Sequence, residues 1–377
     1  MPYINMQCFV RNEGLKHYPK VSIDSIPSKF QLLISSTSNT FGKCLFVFIM
    51  LILNLVHCRA LLNISLDSIF SVNLRALLFP VLGNGMFIVF YFRYNHKLLE
   101  QIDDHWNSLQ IDFDYETRKY FWTHKTTYRR LTYIVYILAI VLRYCYELYK
   151  WNNADRSNLP SHIVFKQSFV FYFLLFICAP IAYFKHFCQT CIHVDLPILA
   201  QTAVQFNLIK LNKLLNEATK NEKSLNIDDV QNIRHKYLLT CRLVDKINEI
   251  ISFCLFFMFI NFLVNSCNLC YNLLYTEQSQ LTKWYNVIQN SFIFTNNLVY
   301  TRSTLKIHEK SQESLATVYK LSLKTNSIRI LNEISLFLNH EEIGFTFGGM
   351  FMLTTSSLST LFSILITIIF ALPSFAT

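Results

Sequence analysis

The sequence predicts an all-α membrane protein with seven transmembrane helices, and three observations support this fold class. Hydrophobic residues make up 52% of the 377 residues and charged residues only 15%, whereas soluble domains usually carry about 25% charged residues. Glycine and proline, which turns require, are scarce at 7 and 8 residues. Seven stretches are mostly apolar and close to the roughly 20 residues that a membrane span needs.

The seven predicted spans are not equally regular. Arg75 and residues 83–85 interrupt the second span, and the sixth is rich in asparagine. Pro180 predicts a kink in the fourth, because proline is a common cause of sharp bends in helices. The spans are residues 41–62, 69–92, 131–148, 164–187, 250–274, 285–300 and 345–372.

The distribution of lysine and arginine predicts the orientation of the chain. With a cytoplasmic N-terminus, the inside segments hold 27 of the 34 basic residues and the outside segments hold 5, while Arg75 and Arg143 lie within spans. Cytoplasmic loops are enriched in these residues, so we expect a cytoplasmic N-terminus and an extracellular C-terminus, opposite to a G-protein-coupled receptor.

The first 40 residues are polar and basic, and we expect no cleaved signal peptide. The net charge of +10 then reflects topology, and no nucleic-acid partner is expected.

The segments between the inner ends of the spans predict further helices. Two amphipathic helices lie between residues 195 and 249 and a third between 304 and 340. Their apolar faces must be buried, which predicts a packed cytoplasmic anchor domain. The predicted organisation is a cytoplasmic segment at 1–40, transmembrane helices 1–4 at 41–187, anchor helices at 188–249, transmembrane helices 5–6 at 250–300, an anchor helix at 301–344 and the last transmembrane helix at 345–377.

Polar residues in the last predicted span recur at spacings of 4, 3, 4 and 7, which places them on one helix face. Phe370 completes this hydroxyl stripe. Hydroxyls along one face suit a water-filled lumen, and a ring of Phe370 side chains can gate by dewetting. The alternative is that the hydroxyls bond back to their own helix or pack against neighbouring helices. The candidate pore-lining residues are Ser356, Thr360, Ser363, Thr367, Phe370 and Ser374.

A second group of polar and aromatic residues lies in the outer halves of the third, fifth and sixth spans. Amides can fix the hydroxyls of a small polar ligand while aromatic rings stack on it. The alternative is a set of interhelical hydrogen bonds and an interfacial aromatic belt. Intramembrane Arg143 lies one turn from Glu147, its expected partner. The candidate pocket residues are Tyr144, Tyr146, Asn261, Asn265, Asn268, Trp284 and Gln289.

Other motifs offer little chemistry. Asn63, in the first outside loop, begins an Asn-Ile-Ser glycosylation sequon, although such triplets are also common by chance. Cys188 and Cys191 form a Cys-x-x-Cys motif near His193, but a zinc site needs a second pair of ligands. We therefore expect no metal and no cofactor. No spacing of Ser, His, Asp or paired carboxylates supports an enzyme.

Two sequence blocks resemble the insect gustatory receptors, a family within the seven-span insect chemoreceptor superfamily. The first comprises LNKLLNEA at 211–218 and IRHKYLLTCRLVDKINEIISFCLF at 233–256, and the second is EISLFLNHEEIGFTFGGMF at 333–351. The family signature ends with Thr-Tyr, five apolar residues and Gln-Phe. Thr367 and Phe375 match it, whereas Ile368 replaces the Tyr and Ser374 the Gln. The chain resembles a divergent member.

The resemblance implies a ligand-gated, nonselective cation channel in the plasma membrane of a sensory neuron, opened by a small-molecule tastant. It further implies a homo- or hetero-tetramer in the lipid bilayer, with the last helix of each subunit lining one pore and the cytoplasmic helices joining the subunits. The alternative is a non-conducting or obligate heteromeric subunit, or a scaffold, of the same fold. A transporter would usually show repeated halves, which this sequence lacks.

Overall fold

The fold is almost entirely helical in the part of the chain that the computed structural model describes. The described residues are 18–19, 40–62, 84–85, 88–89, 91–93, 96–110, 113–153, 160–220, 225–275, 277–340 and 342–371. Several predictions lie outside them: the glycosylation of Asn63, the role of Ser374, most of the 1–40 segment and most of the second span. The side chain of Phe370 is likewise not described.

From His96 onwards the elements follow one another with short connections. They are α1 (Thr40–Leu62), α2 (His96–Gln110), α3 (Tyr115–Asn152), α4 (Ser161–Phe173), a π-helical turn (Leu174–Cys178), α5 (Ala179–Lys220), α6 (Ile227–Tyr275), α7 (Gln280–Ser322), α8 (Ile328–Leu338), β1 (Thr346–Phe347), β2 (Phe351–Met352) and α9 (Thr355–Ala371).

Four helices are much longer than a span. Helices α3, α5, α6 and α7 have 38, 42, 49 and 43 residues, so the predicted third, fifth and sixth spans continue into the segments beside them, and the fourth span reaches α5 through α4 and a π-helical turn. The predicted anchor helix at 304–340 is instead divided, because α7 ends at Ser322 and α8 begins at Ile328. Hydropathy falls where each helix leaves the apolar region, but the helix continues, in α5 even through Pro197. A change in hydropathy therefore marks a change in surroundings and not the end of a helix.

The predicted irregularity at Pro180 takes the form of a π-helical turn. Proline lacks an N–H donor, and its ring clashes with the carbonyl four residues earlier, here that of Phe176. The π turn Leu174–Cys178 contains this residue and ends directly before Ala179. Because the wider turn absorbs the clash, the helix continues through Pro180 into α5.

Burial divides the bundle into two regions. The first, here called the packed layer, comprises α2, residues 115–130 of α3, 191–220 of α5, 227–255 of α6, 300–322 of α7, and α8. Its fully buried large side chains include Trp106, Phe121, Phe206, Tyr237 and Phe337. Helix α5 lies at its centre and packs against α3, α6 and α7.

The second region exposes apolar side chains. Tyr115–Asn152, Ser161–Phe184 and Ile227–Leu274 are long and apolar enough to cross a membrane, and only 11%, 22% and 33% of their most apolar stretches are buried within the chain. Soluble proteins rarely expose apolar surface on this scale. Lipid, or another subunit, must therefore cover these surfaces.

A charged pair holds α3 against α5 within the packed layer. The Arg129 guanidinium donates from Nε to both Asp195 carboxylate oxygens, at 3.0 and 3.1 Å, and also from Nη2. The Asp195 side chain is fully buried and that of Arg129 is 25% exposed. Nearby, Tyr120 donates to Gln201, which in turn donates to the Ser303 carbonyl on α7. Polar groups thus fix the register of three helices.

The lowered pKa of the partly buried Lys310 side chain should make the stability of the protein depend on pH. Burial, with a smaller effect of nearby Lys306, lowers the pKa of Lys310 to about 8, although Glu313 opposes the shift. The unfolded chain therefore binds more protons than the folded one between about pH 8 and the ordinary lysine pKa, so stability rises with pH in that window. We expect Lys310→Met to raise the melting temperature by a few degrees at pH 7. This advantage should shrink towards pH 10, as measured by thermal unfolding at both pH values, and a constant difference would contradict the assignment.

Candidate pore and ligand pocket

A short hairpin, and not a helical turn, leads into the last helix. We expected the last span to begin at residue 345, but β1 pairs with β2 through Phe347 and Phe351, and α9 begins only at Thr355. Gly348 and Gly349 have φ angles of 63° and 77°, in the left-handed region that glycine adopts at little cost. These two glycines force the chain to turn back before the helix can start.

The first turn of α9 is capped by two hydroxyls. The Ser357 N–H donates to Thr354 Oγ1 at 3.0 Å, and the Thr354 N–H donates to Ser357 Oγ at 2.8 Å. This reciprocal arrangement satisfies two backbone donors that the helix itself cannot pair. Ser357 lies off the hydroxyl stripe, and its role is therefore to fix the start of α9.

Asn248 on α6 anchors the hairpin. Its Oδ1 accepts from the Thr346 N–H at 2.9 Å, and its Nδ2 donates to Thr346 Oγ1 at 2.9 Å. The Ser252 carbonyl accepts from the Gly348 N–H at 3.1 Å. The hairpin, which leads directly into α9, is thus bound to the helix that joins the packed layer to the fifth span.

We expect Asn248→Ala to lower the free energy of unfolding by about 1–2 kcal/mol, because a half-buried N–H loses its acceptor. Thermal unfolding of the purified protein measures this change. Asn153→Ala is the matched control, since the described hydrogen bond of the Asn153 side chain is an exposed one to the Tyr149 carbonyl, and its effect should stay within about 0.5 kcal/mol. Equal effects of the two variants would show that the hairpin is held by other contacts.

The described residues of the hydroxyl stripe are exposed in the single chain. Ser356, Thr360, Ser363 and Thr367 all face away from the rest of the subunit. The Thr360, Ser363 and Thr367 hydroxyls each donate to the carbonyl four residues earlier, at 3.1, 3.0 and 2.9 Å. The alternative that the hydroxyls bond back to their own helix therefore occurs, but no helix in the described part of the subunit covers these four residues.

The opposite face of α9 packs within the subunit. Leu358, Leu361 and Phe362 face α6 and α7, and Phe362 approaches Phe262 with ring centroids 6.2 Å apart. Exposure on α9 extends beyond the stripe to Ile364 and Ile366, at 48% and 53%. A broad face, with hydroxyls along its middle, is thus available to other copies of the chain or to water.

The candidate pocket is organised around Arg143. The guanidinium of Arg143 lies 2.9 Å from Glu147 and donates to the Tyr285 hydroxyl at 3.3 Å. Tyr285 stacks on Tyr146, with centroids 3.7 Å apart and the rings 6° from parallel, and Tyr146 donates to Thr282 at 3.2 Å. The expected pairing of Arg143 with Glu147 is present, and the cluster joins α3 to the start of α7.

The other candidate pocket residues are more scattered. Asn265 bonds to Asn261, and Asn272 to Asn268, within α6, while Tyr144 donates to the Leu175 carbonyl in the π turn at 2.7 Å. Trp284 is 63% exposed, as an interfacial aromatic residue would be. The side-chain oxygen of Gln289 is buried without a hydrogen-bond partner in the described part of the chain. Sequence reasoning missed Tyr285, whose position opposite Tyr146 depends on how α3 and α7 pack.

Metal chemistry has no visible basis in the described residues, which contain no group of three or more His, Cys, Asp or Glu side chains able to hold an ion. Cys191 and His193 are buried in the packed layer on α5.

The fold and the exposed face of α9 define a multi-spanning α-helical membrane protein whose closing helix presents hydroxyls outside its own subunit. The model of the 7tm chemosensory receptor family matches residues 26–372. The chain therefore belongs to this family, which is one of receptors and not of enzymes.

Solved structures support the same fold. The chain is similar to the insect olfactory receptor OR5 from Machilis hrabei in complex with eugenol, with a TM-score of 0.67, 13% identity and coverage of 95% of this chain and 94% of that one. The structure of OR5 itself gives a TM-score of 0.57, 14% identity and coverage of 94% and 92%. A search of curated proteins finds no match. The predicted fold class, that of a multi-spanning α-helical chemosensory receptor, is thus confirmed.

Proposed function

We propose that this chain is a gustatory-receptor-like subunit of a ligand-gated, nonselective cation channel for small-molecule tastants, in the plasma membrane of a sensory neuron. The observation that carries the proposal is the exposed hydroxyl stripe on α9, opposite the face that packs within the subunit. Four copies arranged with these stripes inward would form a hydrated lumen. Hydroxyls replace part of the hydration of an ion without binding it tightly, and no acidic residue lies on the stripe, which fits weak selectivity.

The proposed orientation follows from the charge distribution. With the packed layer in the cytoplasm, the basic segments lie inside, and α9 runs outwards from the hairpin. The Arg143–Tyr285 cluster and Gln289 then lie in the outer half of the bundle. We assign them, with Tyr144, Tyr146 and the α6 asparagines, to a tastant pocket. The eugenol complex of OR5 is a precedent for a small-molecule ligand in this fold.

Coupling between pocket and pore has a continuous route. Helix α7 runs from Tyr285 in the proposed pocket to the packed layer, and α6 runs beside it and holds the hairpin through Asn248. Because both helices are unbroken, a displacement at their outer ends reaches the hairpin and therefore the start of α9.

The proposal is tested by expressing the full chain alone in cells without native receptors and recording membrane current during application of sugars, bitter alkaloids and amino acids. An evoked current that Na⁺ and K⁺ carry about equally supports it. Surface-expressed protein that gives no current with any of these compounds contradicts a self-sufficient channel.

The second candidate is an obligate heteromeric or non-conducting subunit. It is favoured by Ile368 and Ser374, which stand where the family signature has Tyr and Gln in the last helix. Current that appears only on co-expression with a related receptor would establish this alternative.

A further inference from the structure

A group of half-buried basic side chains lies where α3 packs against α7 in the packed layer. Lys306 and Lys310 are one helical turn apart, which places both on the same face of α7. His124 on α3 is near enough to feel the charges of both lysines, and its ring stacks on that of Tyr120 with centroids 3.9 Å apart. These four residues are here called the α3–α7 cluster.

Contacts with three helices hold the cluster in place. The Lys310 ammonium lies 4.6 Å from the centre of the Tyr120 ring, a distance at which a cation is attracted to an aromatic face. The Tyr120 hydroxyl donates to Gln201 on α5 at 3.2 Å. His124 Nδ1 donates to the Tyr120 carbonyl at 2.9 Å, which leaves Nε2 of the same ring for another partner.

The positive charges of the cluster are not neutralised within the described part of the chain. No carboxylate there forms an ion pair with Lys306 or Lys310, although Glu313 acts on Lys310 through space. Like charges one turn apart on a helix repel each other. Burial lowers the pKa of both His124 and Lys310, and the charge of Lys306 lowers both further. An anion placed among these groups would therefore be stabilised by all three.

The depth of the cluster indicates which anions can reach it. Lys306 is six residues beyond the inner end of the predicted sixth span, or about 9 Å along the helix axis. His124 is seven residues from the inner end of the third span, or about 10 Å. The polar headgroups extend about 5–7 Å beyond the hydrocarbon. In the orientation proposed above, the cluster thus lies just beyond the headgroups of the cytoplasmic leaflet.

We propose that the α3–α7 cluster binds a phosphate monoester group, with its oxygens between the ammonium groups of Lys306 and Lys310 and beside His124 Nε2. A phosphate monoester carries a charge of about −1.5 to −2 at pH 7, which matches the two lysines, whereas the diester of an ordinary phospholipid carries a single charge. Charge-assisted hydrogen bonds to such a group are strong. The group belongs either to a phosphorylated inositol lipid, whose headgroup projects from the membrane, or to a soluble phosphate.

Occupation of the site ties α3 to α7 on the cytoplasmic side of the membrane, because the phosphate contacts side chains of both helices. The proposal rests on the packing of these two helices and not on conduction. A chain that gives no current with any tastant would therefore leave it intact, and a chain that binds no phosphate would leave the proposed channel activity intact.

The test measures phosphate binding to the full-length protein purified in detergent. Native mass spectrometry counts the bound molecules of phosphatidylinositol bisphosphate and, separately, of phosphatidylinositol, which has the diester but no monoester phosphate. Inositol trisphosphate is the soluble form of the same headgroup and provides the third measurement. We expect the bisphosphate lipid to bind at least about tenfold more tightly than phosphatidylinositol, because hydrogen bonds to charged groups are gained.

Two double variants test the position of the site. Lys306→Gln combined with Lys310→Gln removes both ammonium groups and should weaken binding of the bisphosphate lipid at least about tenfold. The matched control is Lys320→Gln combined with Lys324→Gln, which removes the same charge from two exposed lysines at the same spacing. It should change the affinity by less than about twofold, since charges beyond the screening length contribute little. His124→Gln should weaken binding by a smaller factor than the loss of both lysines.

Equal weakening in the two double variants would show that overall basic charge attracts the phosphate, and it would overturn the proposal. A lack of preference for the bisphosphate lipid over phosphatidylinositol, together with no binding of inositol trisphosphate, would also overturn it. Binding of the lipid alone would support the site and identify the membrane as the source, whereas binding of inositol trisphosphate would support it with a soluble source. Thermal unfolding checks the folding of each variant, and Lys310→Met, which we expect to be more stable than the native chain, replaces the first double variant where that does not fold.

Discussion

Asp195→Ala is expected to destabilise the folded protein by about 3 kcal/mol and to abolish most surface expression. Removal of one partner of a buried ion pair leaves the other charge uncompensated, which typically costs about 3–5 kcal/mol. We expect the lower end of this energy range because the Arg129 side chain is 25% exposed and water can partly solvate its charge. Thermal unfolding in detergent and surface labelling of cells measure the two effects.

Two further variants make this expectation specific. Glu217→Ala removes a pair with Lys213 in which the side chains are 47% and 71% exposed, so it should cost no more than about 0.5 kcal/mol. Replacing both Arg129 with Met and Asp195 with Leu removes the buried charges together and should recover much of the stability. A double variant as unstable as Asp195→Ala would show that the packing around these residues, and not the unpaired charge, is responsible.

Thr360→Cys is expected to make the evoked current sensitive to a positively charged, cysteine-specific reagent. Modification of four subunits places four cations around the proposed lumen, and their repulsion of permeating cations should reduce the current at least about tenfold. Whole-cell recording before and after treatment measures the block. The chain without the substitution, treated with the same reagent, controls for the native cysteines, of which Cys44 and Cys145 are exposed.

The matched control is Leu361→Cys, one residue further along α9 but on the face that packs towards α6 and α7. Its modification should leave the current largely unchanged. Equal block at Thr360 and Leu361, or no block at either, would remove α9 from the pore.

The sequence predicted the fold class well because hydropathy reports directly on burial in lipid. The apolar face predicted for the first amphipathic segment comprises residues 206, 209, 211, 214 and 215. Residues 206, 211 and 214 are at most 9% exposed, and 209 and 215 are half-buried. The sequence did not predict that the third, fourth and sixth spans also continue into the packed layer, because the loss of apolar residues resembles a helix end when no partner surface is known.

The candidate site was less accessible to sequence reasoning. The hairpin depends on Asn248, which is 98 residues away from Thr346 in the chain. The stacking of Tyr146 on Tyr285 joins residues that are 139 positions apart. Such contacts depend on the angles between helices, which a single sequence does not encode locally. The stripe on α9, in contrast, is a local helical pattern, and it could be identified directly.

Because α6 is one continuous helix, it restricts where residues can be inserted into this protein or deleted from it. Each residue of an α-helix turns the chain by about 100° and advances it by about 1.5 Å. An insertion of one residue near position 255 would therefore rotate Asn248 and Ser252 away from the hairpin relative to the outer part of the same helix. Additions and deletions are therefore tolerable only in the connections at the ends of these helices. The number of residues in α6 thus fixes the distance between the packed layer and the outer end of the fifth span.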